Sequence, residues 1–214
     1  MSREVPVEAF VREHTTARAT AFVPEIVLRV AEDVTPLWEL TGGSEPPFWA
    51  FPWAGGQGVA RYVLDNPQVV AGRRVFDLAC GSGLVAIASA LAGASAVTAC
   101  DVDEMALVAA RINAEANGVS LTPLVADVLD STVDADVVLA GDVFYDKDMT
   151  AAVLPFLFRA AAAGALVLVG DPSRPYLPKA RFERVTAYEV PVPRSLEGVT
   201  VLTTTVWRPK PDQS

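Results

Sequence analysis

From residue 74 onward the chain alternates short apolar runs with longer stretches whose apolar residues recur at helical spacing. Short apolar runs bounded by turn residues read as buried strands, and longer stretches of 3.6-residue period as helices. This places strands at 75–78, 96–100, 121–126, 136–140, 165–169, 182–190 and 199–207, with helices at 84–91, 104–117 and 149–163 between them. Gly93 and Gly118 close the first two helices, as a left-handed residue commonly does. Pro155 lies inside the third, where a break or kink is expected. The run 136–140 is almost continuously apolar, the mark of a parallel strand buried on both faces, whereas 199–207 alternates like an edge or antiparallel strand. Upstream, a helix at 57–64 is stopped by Asn66-Pro67. Before it come a helix over 5–19 with Phe10 and Val11 as apolar contacts, a short strand at 26–30, and an apolar patch at 35–40 around Trp38. The Thr41-Gly42-Gly43-Ser44-Glu45-Pro46-Pro47 segment is a loop on composition. The expected organisation is an N-terminal cap at 1–45, a main domain at 46–208 and a tail at 209–214. Strands alternating with helices imply an α/β, Rossmann-like sheet of seven strands with helices on both faces.

Within this alternation, Val75-Phe76-Asp77-Leu78-Ala79-Cys80-Gly81-Ser82-Gly83-Leu84 reads as a strand, a glycine turn and a helix start. Gly81 and Gly83 permit positive φ and a close approach of backbone to a ligand. Helix starts of this kind present free N–H groups to nucleotide-like cofactors. Asp101 ends the next strand, 24 residues beyond Asp77. That is close to the spacing of roughly 20 residues at which an acid meets ribose hydroxyls. The glycine pattern is shared by NAD-binding and S-adenosylmethionine-binding chains. Asp77 separates them: a carboxylate at the turn repels a pyrophosphate and favours the sulfonium and ammonium of S-adenosylmethionine. A plain packing turn without ligand is the bland alternative.

Bulk properties narrow the field. The chain has 214 residues, 51% hydrophobic, enough for one large domain with a full core. No apolar run reaches the roughly 18 residues of a membrane span, and the first residues carry Glu4, Glu8 and Glu13 without an apolar stretch, unlike a signal peptide. The expected compartment is the cytoplasm. A net charge of −9 disfavours nucleic acid and suits a cationic substrate, although simple solubility explains it equally well. Cys80 and Cys100 both fall at strand ends beside the turn and are expected as free thiols. One histidine, His14, leaves no Cys/His set for zinc and no elbow for a serine triad.

Four further segments carry a resemblance. They are Pro47-Phe48-Trp49-Ala50-Phe51-Pro52-Trp53-Ala54-Gly55-Gly56-Gln57, Gly141-Asp142-Val143-Phe144-Tyr145-Asp146, Gly170-Asp171-Pro172-Ser173-Arg174-Pro175 and Leu202-Thr203-Thr204-Thr205-Val206-Trp207. With the turn and Asp101, they make the chain similar to the seven-β-strand class-I methyltransferases. Within these it most resembles the electron transfer flavoprotein β-subunit lysine methyltransferases and their bacterial relatives. The likeness covers about 46–207. It departs at Ala79, where the family usually has a glycine, and at Pro52-Trp53-Ala54. An alanine suits the turn if its φ stays negative.

The resemblance implies S-adenosylmethionine as cofactor, with Asp77, Ala79, Gly81 and Gly83 at its methionine end, Asp101 on the ribose and Asp127 on the adenine amine. Trp53 and Gly55 to Gln57 would close over it. Asp142 and Tyr145 become the catalytic pair, Asp142 also reaching the cofactor side. Phe48, Trp49, Phe144 and Tyr145 would wall a channel that desolvates the lysine amine. Structural alternatives remain: Asp127 as a turn cap, Trp53 as core, Asp142 capping a turn over a packed Tyr145. The implied partner is a lysine-bearing basic loop of a protein, and the resemblance points to the flavoprotein β-subunit. A small-molecule N- or O-methyltransferase, an NAD(P) oxidoreductase and a non-catalytic binding module are the competing functions. The neighbouring ribosomal protein L11 methyltransferases use an Asn-rich motif after the fourth strand that is absent here.

Cofactor choice gives a first test. Saturating S-adenosylhomocysteine should raise the melting temperature, since about 2.7 kcal/mol accrues at a hundred times Kd, while NADH should not. A shift with NADH alone would overturn the reading of Asp77 and Asp101.

Overall fold

The computed structural model describes residues 7–42 and 46–211. Positions 5 and 6 of the expected first helix, 43–45 of the glycine loop and 212–214 of the tail lie outside the described residues. The main sheet has seven strands: β3 (Arg74–Leu78), β4 (Ala96–Asp101), β5 (Thr122–Val125), β6 (Val137–Gly141), β7 (Leu166–Asp171), β8 (Phe182–Pro191) and β9 (Val201–Pro209). Their order is β5-β4-β3-β6-β7-β9-β8. The first five run parallel, and the β8–β9 hairpin joins β7 antiparallel through β9. The order reverses at β3, so the neighbouring β3–β6 and β3–β4 crossovers open a crevice at their carboxyl ends.

Helices α3 (Ala54–Asp65), α4 (Leu84–Leu91) and α5 (Glu104–Ala116) cover one face, packing Val59, Val85 and Leu107 against Val75, Val97, Leu139 and Leu168. The other face takes α6 (Lys147–Ala162), whose Val153, Phe156 and Leu157 meet Phe76, Val138, Ala140 and Val167. Period-2 alternation along β3 thus splits Val75 and Phe76 between two cores. The helix runs on through Pro155, which sits on its exposed side, where a carbonyl deprived of its partner can be solvated. The expected break does not occur.

The expected helix over 5–19 is two elements: α1 (Val7–His14) and a strand β1 (Thr16–Ala19) paired with β2 (Val27–Val30). The Thr15 hydroxyl donates to the Val11 carbonyl and closes the helix, and strand pairing then overrides the helical spacing. The patch at 35–40 is a helix, α2 (Val34–Thr41), ended by Gly42 at φ 60°. This N-terminal segment packs on the main unit. Val11 and Leu37 join Trp49, Ala109 and Ile112, while Ile26 and Leu28 join Leu84 and Ile87. Buried Asn113 of α5 accepts from the Arg29 amide at 2.8 Å and donates to the Ser82 carbonyl at 2.8 Å, tying β2 to the glycine turn.

Helix α3 approaches the sheet without side chains between. A Cβ on Gly170 would lie 2.0 Å from the Gly55 carbonyl oxygen, and one on Gly141 would lie 2.6 Å from the Gly56 Cα. Gly170→Ala should therefore lower stability by about 3 kcal/mol, the upper part of the overpacking range. Gly56→Ala, whose Cβ would meet only Val85 Cγ2 at 3.8 Å, should be neutral or stabilising by up to about 1 kcal/mol. Urea unfolding of the two variants checks this; equal stabilities would contradict the backbone contact.

Candidate active site

Among the described residues three non-glycine positions adopt positive φ: Ala79 (53°), Asp142 (56°) and Ser173 (70°). They follow the carboxyl ends of β3, β6 and β7, where strained backbone often serves a site. Asp tolerates this region better than Ala. The negative φ expected for Ala79 is thus not found: the turn needs the left-handed conformation there, at about 1–2 kcal/mol for an alanine.

At β4, Asp101 accepts from the Gly81 amide through Oδ2 at 2.9 Å and from the Asp103 amide through Oδ1 at 3.1 Å. The acid therefore holds the turn in place and keeps lone pairs for hydroxyl donors. Burial pushes its pKa up, opposed by those amides. Val102 beside it is 70% exposed, an apolar surface that suits a heteroaromatic ring and that the sequence reading missed. Exposed Asp127 stands on the adjoining loop and accepts from the Leu129 amide at 3.0 Å, so it caps its own turn. Gly83 is wedged against Ala110, with no room for a Cβ.

Asp77 lies beneath the turn rather than at its surface. It is 1% exposed, and its Oδ2 accepts from the Ala86 amide at 3.0 Å, capping the first turn of α4. Burial pushes its pKa up to about 8. Cys80 and Cys100 are buried free thiols; burial raises both, Cys100 to about 11, which makes them poor nucleophiles.

The aromatic wall differs from expectation. Trp49 and Phe144 are 1% and 0% exposed and belong to the cores. The turn at Phe48–Ala50 and the positive φ of Asp142 rotate them inward. Phe48 and Tyr145 of the expected wall do lie together, 5.4 Å apart, and Trp53 joins them 5.7 Å from Phe48, centroid to centroid. Trp53 Nε1 donates to the Phe48 carbonyl at 2.9 Å. Gln57 is buried and donates to the Pro52 carbonyl at 2.8 Å, which shapes the chain before α3.

Asp142, 8% exposed, is held from three sides. Its amide donates to the Gly170 carbonyl at 2.9 Å. Its Oδ2 accepts from Gly56 at the start of α3 at 3.2 Å, and its Oδ1 accepts from Arg174 Nε and Nη2 at 3.2 and 3.0 Å. Arg174 also pairs in a fork with Glu197 of α7 (Arg194–Glu197) at 2.9 and 2.7 Å. Burial pushes the Asp142 pKa up, while Arg174 pulls it down. Asp171, pushed up to about 6 by burial, accepts from the Arg174 amide at 2.8 Å. Arg174 and Glu197 were not identified as site residues from sequence. The segment 170–175 marked the first, and nothing local marked the second.

The structure therefore brings Trp53, Gly55, Asp142 and Tyr145 together at β6–β7, and Gly81, Asp101 and Asp127 at β3–β5. Among the described residues no His, Cys, Asp or Glu group could hold a metal, and no helix is long and apolar enough to cross a membrane.

Known proteins fit this geometry. The ribosomal protein L11 methyltransferase family matches residues 62–143. The electron transfer flavoprotein β-subunit lysine methyltransferase of Danio rerio is 35% identical over 96% of this chain and 84% of its own length. The Homo sapiens protein of that name is 34% identical over 94% and 81%. In structure, TrmN from Thermus thermophilus aligns at TM-score 0.53 and 27% identity, over 78% of this chain and 55% of that one. Magnesium protoporphyrin IX methyltransferase from Synechocystis, with bound S-adenosylmethionine, aligns at TM-score 0.51 and 18% identity over 71% and 76%, a likeness of fold.

The buried Asp77 yields a pH test. Its folded pKa of about 8 exceeds the ordinary carboxylate value, so the folded state binds the extra proton between about pH 4 and 8 and stability falls as pH rises through that window. Asp77→Asn keeps the acceptor for Ala86 and removes the ionisation. The ligand-free variant should melt higher than the parent at pH 8 and no higher at pH 4. An equal loss at both would contradict this environment for Asp77.

Proposed function

The chain belongs to the electron transfer flavoprotein β-subunit lysine methyltransferase family, enzymes that use S-adenosylmethionine to methylate protein lysine, and we propose that its acceptor is a lysine of electron transfer flavoprotein β-subunit. The observation that carries this is identity across nearly the whole chain to relatives of that name, acceptor side included. The L11-type match covers residues 62–143, from the last turn of α3 to just past the end of β6, and leaves out Phe48, Trp53, Tyr145 and Arg174.

The residues fit the cofactor. Asp101 offers a carboxylate to ribose hydroxyls, Val102 and Asp127 flank a place for adenine, and the Gly81–Gly83 backbone lines the methionine end. Trp53 and Gly55 close the adjoining side, and Asp77 backs the turn from below. Bound there, S-adenosylmethionine supplies an electrophilic methyl on positive sulfur. The protein's task is to present a neutral amine in line. With a reference pKa of about 10.4, roughly one lysine in a few thousand is neutral at pH 7. Phe48, Trp53 and Tyr145 strip water from the side chain and so lower that value. Asp142 meets the incoming ammonium and aligns it, and water takes the proton. With the cofactor bound, the amine held by these residues would take the methyl in line through its lone pair, and sulfur would keep the electrons of the C–S bond.

Exposed Asp103, Glu104, Asp127, Asp130, Asp146 and Asp148 ring the same edge and favour a basic acceptor segment. Free Cys80 and Cys100 suit a cytoplasmic protein.

Tritiated S-adenosylmethionine with purified protein and host extract should label a protein band at lysine, more slowly as salt rises. Label only in the small-molecule fraction would favour a small-molecule acceptor. Asp101→Ala should weaken S-adenosylhomocysteine about ten- to a hundredfold by calorimetry, the loss of a charge-assisted hydrogen bond. Unchanged affinity would mean that the ribose is held elsewhere.

A further inference from the structure

Arg174 is placed to control Asp142. Its backbone amide is fixed on Asp171 Oδ1 at 2.8 Å, so the loop after β7 cannot swing freely. One edge of its guanidinium, Nε and Nη2, lies on a single oxygen of Asp142 at 3.2 and 3.0 Å. The other edge forks onto Glu197, whose side chain is 7% exposed. Its central carbon lies 6.0 Å from the Trp53 ring centroid. A carboxylate as buried as Asp142 would be neutralised if left alone. One guanidinium faces the carboxylates of Asp142, Glu197 and Asp171, so the cluster keeps surplus negative charge for an incoming ammonium.

We infer that Arg174 is a positioning residue of the transfer reaction: it occupies Oδ1 of Asp142 and leaves Oδ2, which also accepts from the Gly56 amide, as the oxygen that receives the acceptor's ε-ammonium. The inference rests on the acceptor-side reading of Asp142. The groups facing Asp142 are Asp171 at the end of β7, Arg174 from the loop after it, Glu197 from α7, and the Gly56 amide at the start of α3. The signs follow from them. Removing Arg174 makes Asp142 harder to ionise, and removing the Glu197 charge makes it easier.

The test uses the full chain saturated with S-adenosylmethionine, single-turnover transfer to recombinant flavoprotein β-subunit across pH, and the Asp142 carboxyl carbon signal followed by NMR, which needs no acceptor. Arg174→Gln should slow transfer at least tenfold at pH 7, with most of the loss in acceptor KM. It should move the acidic limb and the NMR midpoint up by about one pH unit or more, and Arg174→Lys should restore part. Glu197→Gln should move both down, and it keeps the test open if Arg174→Gln fails to fold. Added to Asp142→Asn, Arg174→Gln should cost nothing further in rate. Wild-type rates for Asp142→Asn would overturn the reading of Asp142 itself. A slow Asp142→Asn beside an unshifted Arg174→Gln, or losses that simply add, would overturn the role of Arg174 alone.

Discussion

The site depends on backbone meeting backbone. Gly55 and Gly56 at the start of α3 lie directly on Gly141 and Gly170 of β6 and β7, closer than any Cβ allows. This contact brings an amide of a helix start to the Asp142 carboxylate, whose own amide extends the β6–β7 ladder to the Gly170 carbonyl. It also sets the chain just ahead of the helix, with Trp53 and Phe48, over the end of β6. A single methyl at Gly170 would separate these groups, because close-packed interiors do not yield smoothly.

Around that contact the protein buries charge and strain together. Asp77 sits under the glycine turn with one amide as its partner, and Asp142 is sustained by Arg174, itself shared with Glu197. Breaking one member of such a set costs more than the set as a whole contributes, since a buried charge is left over. Ala79, Asp142 and Ser173 hold the backbone in the left-handed region at the same edge. The surrounding strands must over-determine these positions for them to persist. The parallel core and the pinning of α5 by Asn113 do so for Ala79.

The main sheet was legible because its strands are short, apolar and punctuated by glycine, so period and turn chemistry agree. The place of Asp101 beside the glycine turn was legible from its position at a strand end, and the structure sets it on the Gly81 amide. Other features needed the third dimension. Thr16–Ala19 continues a helical spacing, and only its partner Val27–Val30 makes it a strand. Which aromatics face the cleft turns on the conformation at 48–50 and at Asp142, so Trp49 and Phe144 fell inside and Trp53 outside. The Arg174–Glu197 pair spans 23 residues and joins the loop after β7 to α7, a relation that no local pattern encodes.

A complex structure with S-adenosylhomocysteine and a lysine-bearing acceptor peptide tests the central claim most directly. The account predicts ribose hydroxyls on Asp101 and the lysine Nζ within hydrogen-bond distance of Asp142 Oδ2. The stem should lie between Phe48, Trp53 and Tyr145, and Arg174 should still rest on Oδ1. A lysine amine seated away from Asp142, with the Gly56–Asp142–Arg174 joint undisturbed and closed to it, would contradict the account and leave Asp142 a purely structural residue.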